Sequence, residues 1–314
     1  GSSVATAASM SKVAIPEMRK YGYADSLATG TLAAGGTLGI MIPPSIALLL
    51  YALITAKSVV DMFIAGLIPG LLGLVLYCVT ISLLVYFFPH LARKGESTTI
   101  REKIQGMAGF APFMLVFLMI IGGIYTGTFT PTEAASIGAF ITLIIALLRG
   151  MRWKGFCSAV EETLALTSMI FFMIVGAEIF GYFLSVSRVS FFLTEWVGAL
   201  GLPPYAVLAL VLFMFLLLGC VMDSLAMLLL TVPVVLPLIL EAGFDPVWFG
   251  IIAVITVEVG LITPPVGINV FVIKSMLPQV RLSTIFKGVL PFVLSDFVRL
   301  ALLVAFPSLA LGLL

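Results

Sequence analysis

The sequence predicts an all-α polytopic membrane protein with inverted repeats, re-entrant hairpins and broken helices. Three observations carry that prediction. Apolar residues fill 61% of the 314 positions and charged residues 10%, with a mean hydropathy of +1.25; a soluble domain runs at roughly 45–50% and about 25%. Apolar runs of about 20 residues, each long enough to cross ~30 Å of hydrocarbon, recur along the whole chain. Finally, LGIMIPPSI (38–46) and VGLITPPVGI (259–268) each set a Pro-Pro pair four residues after a Gly inside such a run.

Seven crossings follow in order, at about 24–56, 61–89, 107–127, 131–149, 160–187, 246–276 and 285–312. The first and sixth contain the Pro-Pro pairs. Between the fifth and sixth lies an apolar stretch, 205–240, interrupted by GCVMDS at 219–224. Each arm has about 16 residues, short for a span, so a re-entrant hairpin with its tip at Asp223 is expected. Orientation comes from the basic residues. Arg93, Lys94, Arg101 and Lys103 follow the second crossing, and Arg149, Arg152 and Lys154 follow the fourth. The same parity adds Arg19 and Lys20 before the first crossing and Lys274, Arg281 and Lys287 after the sixth. That side, with 12 of the 16 basic residues, is cytoplasmic by the positive-inside rule. A net charge of +1 gives no sign of a nucleic-acid partner.

Cys78, Cys157 and Cys220 sit in apolar segments without paired spacing and read as small core residues. A single His90 excludes HExxH, and neither a Walker loop nor GxSxG is present, so an ATPase, a metalloprotease or a serine hydrolase has no support. An ion-gradient-driven carrier remains.

Shifting the chain along itself by 221 residues superimposes its punctuation. Pro43 and Pro44 fall on Pro264 and Pro265, Gly39 on Gly260, Gly22 on Gly243, Tyr23 on Phe244 and Pro16 on Pro237. Ser3 falls on Ser224 and Ser2 on Asp223. Pro and Gly set backbone geometry, so these are the residues a structural duplication keeps. Residues 1–16 then match the second arm of the hairpin at Asp223, and the chain is expected to begin at a hairpin tip, as the C-terminal part of a longer protein. The opening GSS reads as native rather than as a cloning remnant. The first and sixth crossings run in opposite directions, so the repeats are inverted and their tips meet near the midplane.

A Pro pair removes backbone donors and clashes with the preceding turn, so both crossings unwind near 39–44 and 260–265 rather than merely kink. Broken helices inside a bilayer persist where their freed backbone is buried or lines a cavity. Freed carbonyls suit cations and half-helix N-termini suit anions, which makes matched breaks a pointer to a transport site. Ser2, Ser3 and Thr37, with backbone oxygens from Gly39 to Pro43, are candidate cation ligands in the first repeat; Asp223, Ser224, Glu258, Gly260 and Thr263 are their counterparts in the second. Asp223, Ser2 and Ser3 have an alternative role as helix caps. Ser45, Glu258, Pro264 and Asn269 are candidate substrate contacts; Glu258 could instead pair with a neighbouring helix, and Asn269 could tie its own helix to one. Thr130, Pro131 and Glu133 read as a helix start, although Thr132 and Glu133 could face the transport path. Glu178 is expected to be buried with a tertiary hydrogen bond. Asp296 and Arg299, three apart, are expected to pair.

GSSVATAASMSKVAIPEMRKYGY, AAGGTLGIMIPPS, GTFTPTEAASIGA, GCVMDSLAMLLLTVPVVLPL and GLITPPVGINVFV together resemble the large membrane subunit of a tripartite ATP-independent periplasmic (TRAP) transporter. The resemblance runs along the whole chain. It implies a Na⁺-driven elevator importer of organic acids in the bacterial inner membrane. It also implies a small four-helix membrane subunit, separate or fused upstream, and a soluble periplasmic binding protein. Ser2, Ser3, Thr37, Pro43, Asp223, Gly260 and Thr263 match the family's Na⁺ positions. A transport domain is then expected from 1–56 and 205–276, mainly scaffold helices at 57–204, and a C-terminal helix at 277–314. A stand-alone Na⁺-coupled anion symporter is the alternative.

Overall fold

The computed structural model describes residues 2–92, 109 and 111–314. Arg93, Lys94, Arg101 and Lys103, on which part of the orientation rests, lie outside the described residues. Every regular element described is helical, and the chain divides into two compact units, 1–94 with 179–314, and 95–178.

The first unit holds the repeat. Its first half is α1 (Ser3–Lys20), α2 (Asp25–Met41), α3 (Ile46–Ile54) and α4 (Val59–Phe87). The second unit contains α5 (Ala111–Tyr125) and α6 (Pro131–Leu148), and α7 (Trp153–Ser187) runs from it back into the first. There follow α8 (Val189–Ala199), α9 (Pro204–Gly219), α10 (Ser224–Glu241), α11 (Pro246–Gly260), α12 (Ile268–Met276), α13 (Leu282–Ala305) and α14 (Ser308–Leu311). The ends of α1, shifted by 221, are the ends of α10, and α2, α3 and α4 fall on α11, α12 and α13 with their ends displaced by at most three residues. Helix starts are set by local chemistry. Ser2, Ser45, Ser58, Asp223 and Asp245 each accept a backbone N–H from the first turn of α1, α3, α4, α10 and α11.

The two halves interlock. The hairpin arm α1 packs on α2 of its own repeat and on α12 of the other; α10 packs on α11 and on α3. Likewise α13 lies along α2, and α4 against α11. At the α2–α13 crossing the backbones touch, because a Cβ on Gly30 would fall on the Gly288 carbonyl and one on Gly288 on the Ser26 carbonyl. Every residue of α11 from Val247 to Gly260 is buried, so this half-helix is the axis of the core. Its entry is fixed by the Tyr51 hydroxyl, which donates to the Pro246 carbonyl (2.6 Å), and by the Trp248 indole, which donates to Leu303 O (2.9 Å).

The expected breaks are present. The axes of α2 and α3 differ by 44°, and both Pro43–Pro44 and Pro264–Pro265 are cis peptides. Among the described residues, five helices are long and apolar enough to cross a membrane, or six with α2 and α3 as one broken span, by length and composition. One of these is α10, the second arm of the hairpin whose turn runs through 220–223. The stretch 57–204 divides: α4 and residues 179–204 belong to the first unit and 95–178 to the second.

In the second unit α5 packs against α6 across a tight turn, where the Phe129 ring fills the space that a Cβ on Gly123 would take. Thr130 and Glu133 form the expected helix start, a capping box with Pro131 at the first position. Three expectations differ. Helix α8 was not foreseen, and it starts after Arg188 in the left-handed region (φ 55°). Glu178 is exposed instead of buried, because Leu184 is the one buried residue found along the 35-residue α7. Of the cysteines, Cys220 is buried, but Cys78 is exposed and Cys157 partly so, on the outward faces of their helices.

Candidate functional site

The two hairpin arms begin with equivalent residues, Ser3 on α1 and Ser224 on α10, and both are buried. Both hydroxyls stand next to the carboxylate of Glu258, close enough to act on its charge but outside hydrogen-bond geometry. Glu258 lies on the last turn of α11, is 2% exposed, and neither carboxylate oxygen has a hydrogen-bond partner. The other charged groups that act on it are both acidic, Asp223 at the hairpin tip and Asp296 on α13. A buried, unpaired carboxylate of this kind costs several kcal/mol unless a cation or a donor neutralises it.

The second hairpin is moored to the second break. Gly219 and Gly260 lie backbone to backbone: a Cβ on Gly260 would stand 2.7 Å from Gly219 Cα and 3.0 Å from Cys220 N. Beyond the break, the Gly267 N–H donates to Cys220 O (3.0 Å). Gly267 itself has φ +66°, the left-handed region that glycine enters without strain. Asp223 is exposed and caps α10, its Oδ2 accepting the Leu225 N–H at 3.0 Å. The Thr263 hydroxyl donates to Val259 O (2.6 Å), and Pro264 O receives the Cys220 thiol at 3.5 Å. Asn269 is fully buried on α12; its backbone N–H closes the break by donating to Leu261 O (3.1 Å), while its side-chain amide has no partner.

The first break is built differently. Ser2 caps α1, accepting Ala5 N–H (3.3 Å) at its hydroxyl and the Thr6 hydroxyl (2.8 Å) at its carbonyl. Gly36 abuts the Ser3 carbonyl and Gly39 the Thr6 side chain, so this face of α2 meets the hairpin tip. Ser45, beyond Pro43, caps α3 by accepting Leu48 N–H at 3.2 Å. Thr37 points elsewhere. Its hydroxyl donates to Ala34 O (2.6 Å) and lies 3.2 Å from the Tyr77 hydroxyl, which in turn donates to Asp296 Oδ2. Asp296 also pairs with Arg299 as expected, Nη1 to Oδ1 at 3.2 Å, with both side chains almost wholly buried. Sequence reasoning missed the Thr37–Tyr77 end of this network, which joins α2, α4 and α13. A phenol in an apolar helix was its one local sign.

The structure therefore brings Ser3, Ser224 and Glu258 together, places Asp223, Gly260, Thr263 and Pro264 around the second break, and sets Thr37 on a different face of its helix. The donors at the centre are hydroxyl and carboxylate oxygens, hard ligands that suit alkali and alkaline-earth cations. Among the described residues no group of three or more His, Cys, Asp or Glu comes together.

A family model described as the tripartite ATP-independent periplasmic transporter, DctM component, matches residues 1–309. The chain is 37% identical to the C4-dicarboxylate TRAP transporter large permease protein DctM of Pseudomonas aeruginosa, over all of this chain and 73% of that protein. It is 32% identical to the sialic acid TRAP transporter large permease protein SiaM of Vibrio cholerae, over 99% of this chain and 73% of that one. With the isethionate TRAP transporter permease protein DctMQ of Oleidesulfovibrio alaskensis it shares 31% identity, over 93% of this chain and 46% of its relative. These relatives are named as permeases, in keeping with a multi-pass membrane carrier and not an enzyme. The chain belongs to the DctM component family of the tripartite ATP-independent periplasmic transporters.

Proposed function

We propose that this chain forms the large membrane subunit of a Na⁺-driven importer of organic acids in the bacterial inner membrane. The carrying observation is the convergence of Ser3 and Ser224, the first residues of two hairpin arms, on the unpaired Glu258 carboxylate beside two broken helices. Hydroxyls and freed carbonyls at Ser2, Ser3, Gly39, Pro43, Asp223, Ser224, Gly260 and Thr263 supply oxygen ligands for Na⁺. The N-termini of α1 and α10 supply positive dipole ends for an anion held between the tips, with Asn269 and Pro264 as further substrate contacts. The relatives are named for C4-dicarboxylates, sialic acid and isethionate, all organic anions, which supports an acid as cargo. The partners on this reading are a small four-helix membrane subunit, separate or fused, and a soluble periplasmic binding protein that hands over the substrate. The body that bears both tips crosses the bilayer as one piece, carrying Na⁺ and substrate together.

The test is uptake of a labelled organic-acid panel into proteoliposomes holding the large and small subunits. An inward Na⁺ gradient is imposed with and without the binding protein, for wild type and Asp223→Ala. Uptake that needs both Na⁺ and the binding protein, and falls by roughly tenfold (about 1.4 kcal/mol) in the variant, is the expected outcome. Na⁺-driven uptake indifferent to the binding protein would instead identify a stand-alone anion symporter. Uptake indifferent to Na⁺ would overturn the proposal.

A further inference from the structure

We propose that the pocket between the start of α2, the end of α4 and the start of α13 binds one anionic phospholipid of the cytoplasmic leaflet. Ser26, His90, Thr284 and Lys287 hold its phosphate, and an acyl chain lies along α13. The inference goes beyond the transport reading above: it needs a multi-pass membrane protein, but neither Na⁺ nor the cargo.

Three features of the molecule point there. First, the cavity is already formed. It holds about 500 Å³, the size of a small-ligand pocket. The Ala24 N–H donates to Leu91 O (2.8 Å), which fastens the single turn Pro89–Leu91 to the start of α2, and Gly288 abuts the Ser26 carbonyl, which fastens α13 there too. Second, the polar wall suits an anion. Its polar side chains are Ser26, His90, Thr284 and Lys287; each can donate a hydrogen bond, and no carboxylate lines the cavity. Among the described residues none of these four side chains has a hydrogen-bond or ion-pair partner, and the neighbouring Asp25 is engaged by Arg19 at 2.7 Å. Third, the polar wall continues into an apolar one. Leu84, Phe88 and Pro291 line the other side of the cavity. Leu290 and Leu294, three and seven residues after Lys287 and so on the same face of α13, are 55% and 59% exposed. A free phosphate would use the donors alone, whereas a phospholipid uses both walls. Lys287 lies on the side that carries Arg19, Lys20, Lys274 and Arg281, cytoplasmic by the positive-inside rule. Basic pockets between membrane helices on that side take anionic headgroups.

The experiment uses the purified large subunit with its small partner in detergent. Binding of tail-labelled dioleoylphosphatidylglycerol is measured for wild type, Lys287→Gln, Thr284→Val and Arg281→Gln, with dioleoylphosphatidylcholine or sodium phosphate as competitor. Wild type is expected to bind the labelled lipid saturably and to resist both competitors. Lys287→Gln is expected to bind it roughly fivefold more weakly, the scale of one basic side chain at an anionic surface. Arg281→Gln, outside the pocket, is expected to change binding by less than about twofold. Thr284→Val, which removes a donor at nearly constant volume, is expected to weaken binding as well and decides the matter if Lys287→Gln does not fold. Undiminished binding in the folded variant would overturn the site. An equal loss in Arg281→Gln would show diffuse attraction to the basic surface, and displacement by sodium phosphate would show a free-anion site; either overturns the lipid pocket. The readout requires no Na⁺ gradient and no cargo, so each of these failures leaves the importer reading standing.

Discussion

Replacing Gly260 with alanine tests whether the second hairpin is held against the second break by direct backbone contact. The added Cβ would stand 2.7 Å from Gly219 C and Cα, where ordinary contact begins at 3.4 Å. The end of α9 must therefore withdraw by about 0.7 Å, and it is backbone, so no rotamer change relieves it. In a close-packed interior such overpacking costs about 1–3 kcal/mol. The withdrawal also stretches the Gly267 N–H to Cys220 O bond that ties the tip to the far side of the break. Alanine's better helix propensity offsets about 1 kcal/mol at most, and less at a C-terminal residue. The control is Gly122→Ala on α5, where a Cβ meets nothing within 4 Å and the same propensity gain applies unopposed. In detergent, Gly260→Ala is expected to melt several degrees below wild type, at roughly 2–4 °C per kcal/mol, and Gly122→Ala at or above it. If the two variants melt together, the Gly219–Gly260 contact does not carry the mooring and the reasoning fails.

Two further perturbations address the network behind the first break. Tyr77→Phe removes the donor to Asp296 Oδ2 and strands a buried carboxylate oxygen, so a loss of about 1–3 kcal/mol is expected in thermal or chemical denaturation; a variant as stable as wild type would show that Asp296 finds another donor. Neutralising either Asp296 or Arg299 alone leaves its partner charged and buried, at about 3–5 kcal/mol, whereas Asp296→Leu with Arg299→Met removes both charges and is expected to cost far less than the sum. Simple additivity in that double-mutant cycle would mean that the two side chains do not stabilise each other.

Much of the fold was legible because its determinants are local. The Pro43–Pro44 and Pro264–Pro265 pairs fall at the breaks after α2 and α11, and Gly219 to Ser224 interrupts the apolar stretch 205–240 where the hairpin turns. Thr130, Pro131 and Glu133 make a capping box from three neighbouring residues, and Asp296 and Arg299 meet because they are one turn apart. Contacts between residues far apart in the chain left no such trace. Tyr77 and Asp296 are separated by 219 positions, and no spacing rule joins them. Residue type and depth single out Ser3, Ser224 and Glu258 as candidates but carry no sign that the three lie side by side. Residue type also could not show that the Thr37 hydroxyl turns to Ala34 O and the Tyr77 hydroxyl, away from the face where Gly36 and Gly39 meet α1.

That last difference separates what the duplication kept from what it did not. The elements that repeat at 221 residues are those that shape backbone: the arm starts, the broken helices, and the exchange in which α1 meets α12 while α10 meets α3. The side chains at equivalent depth do not repeat. Where the second repeat places Glu258 against the tips, the first places Thr37 in a network with Tyr77 and Asp296. A carboxylate at both positions would bury a second charge beside one that already lacks a partner, whereas the Thr37 hydroxyl is satisfied within its own half by Ala34 O and the Tyr77 hydroxyl.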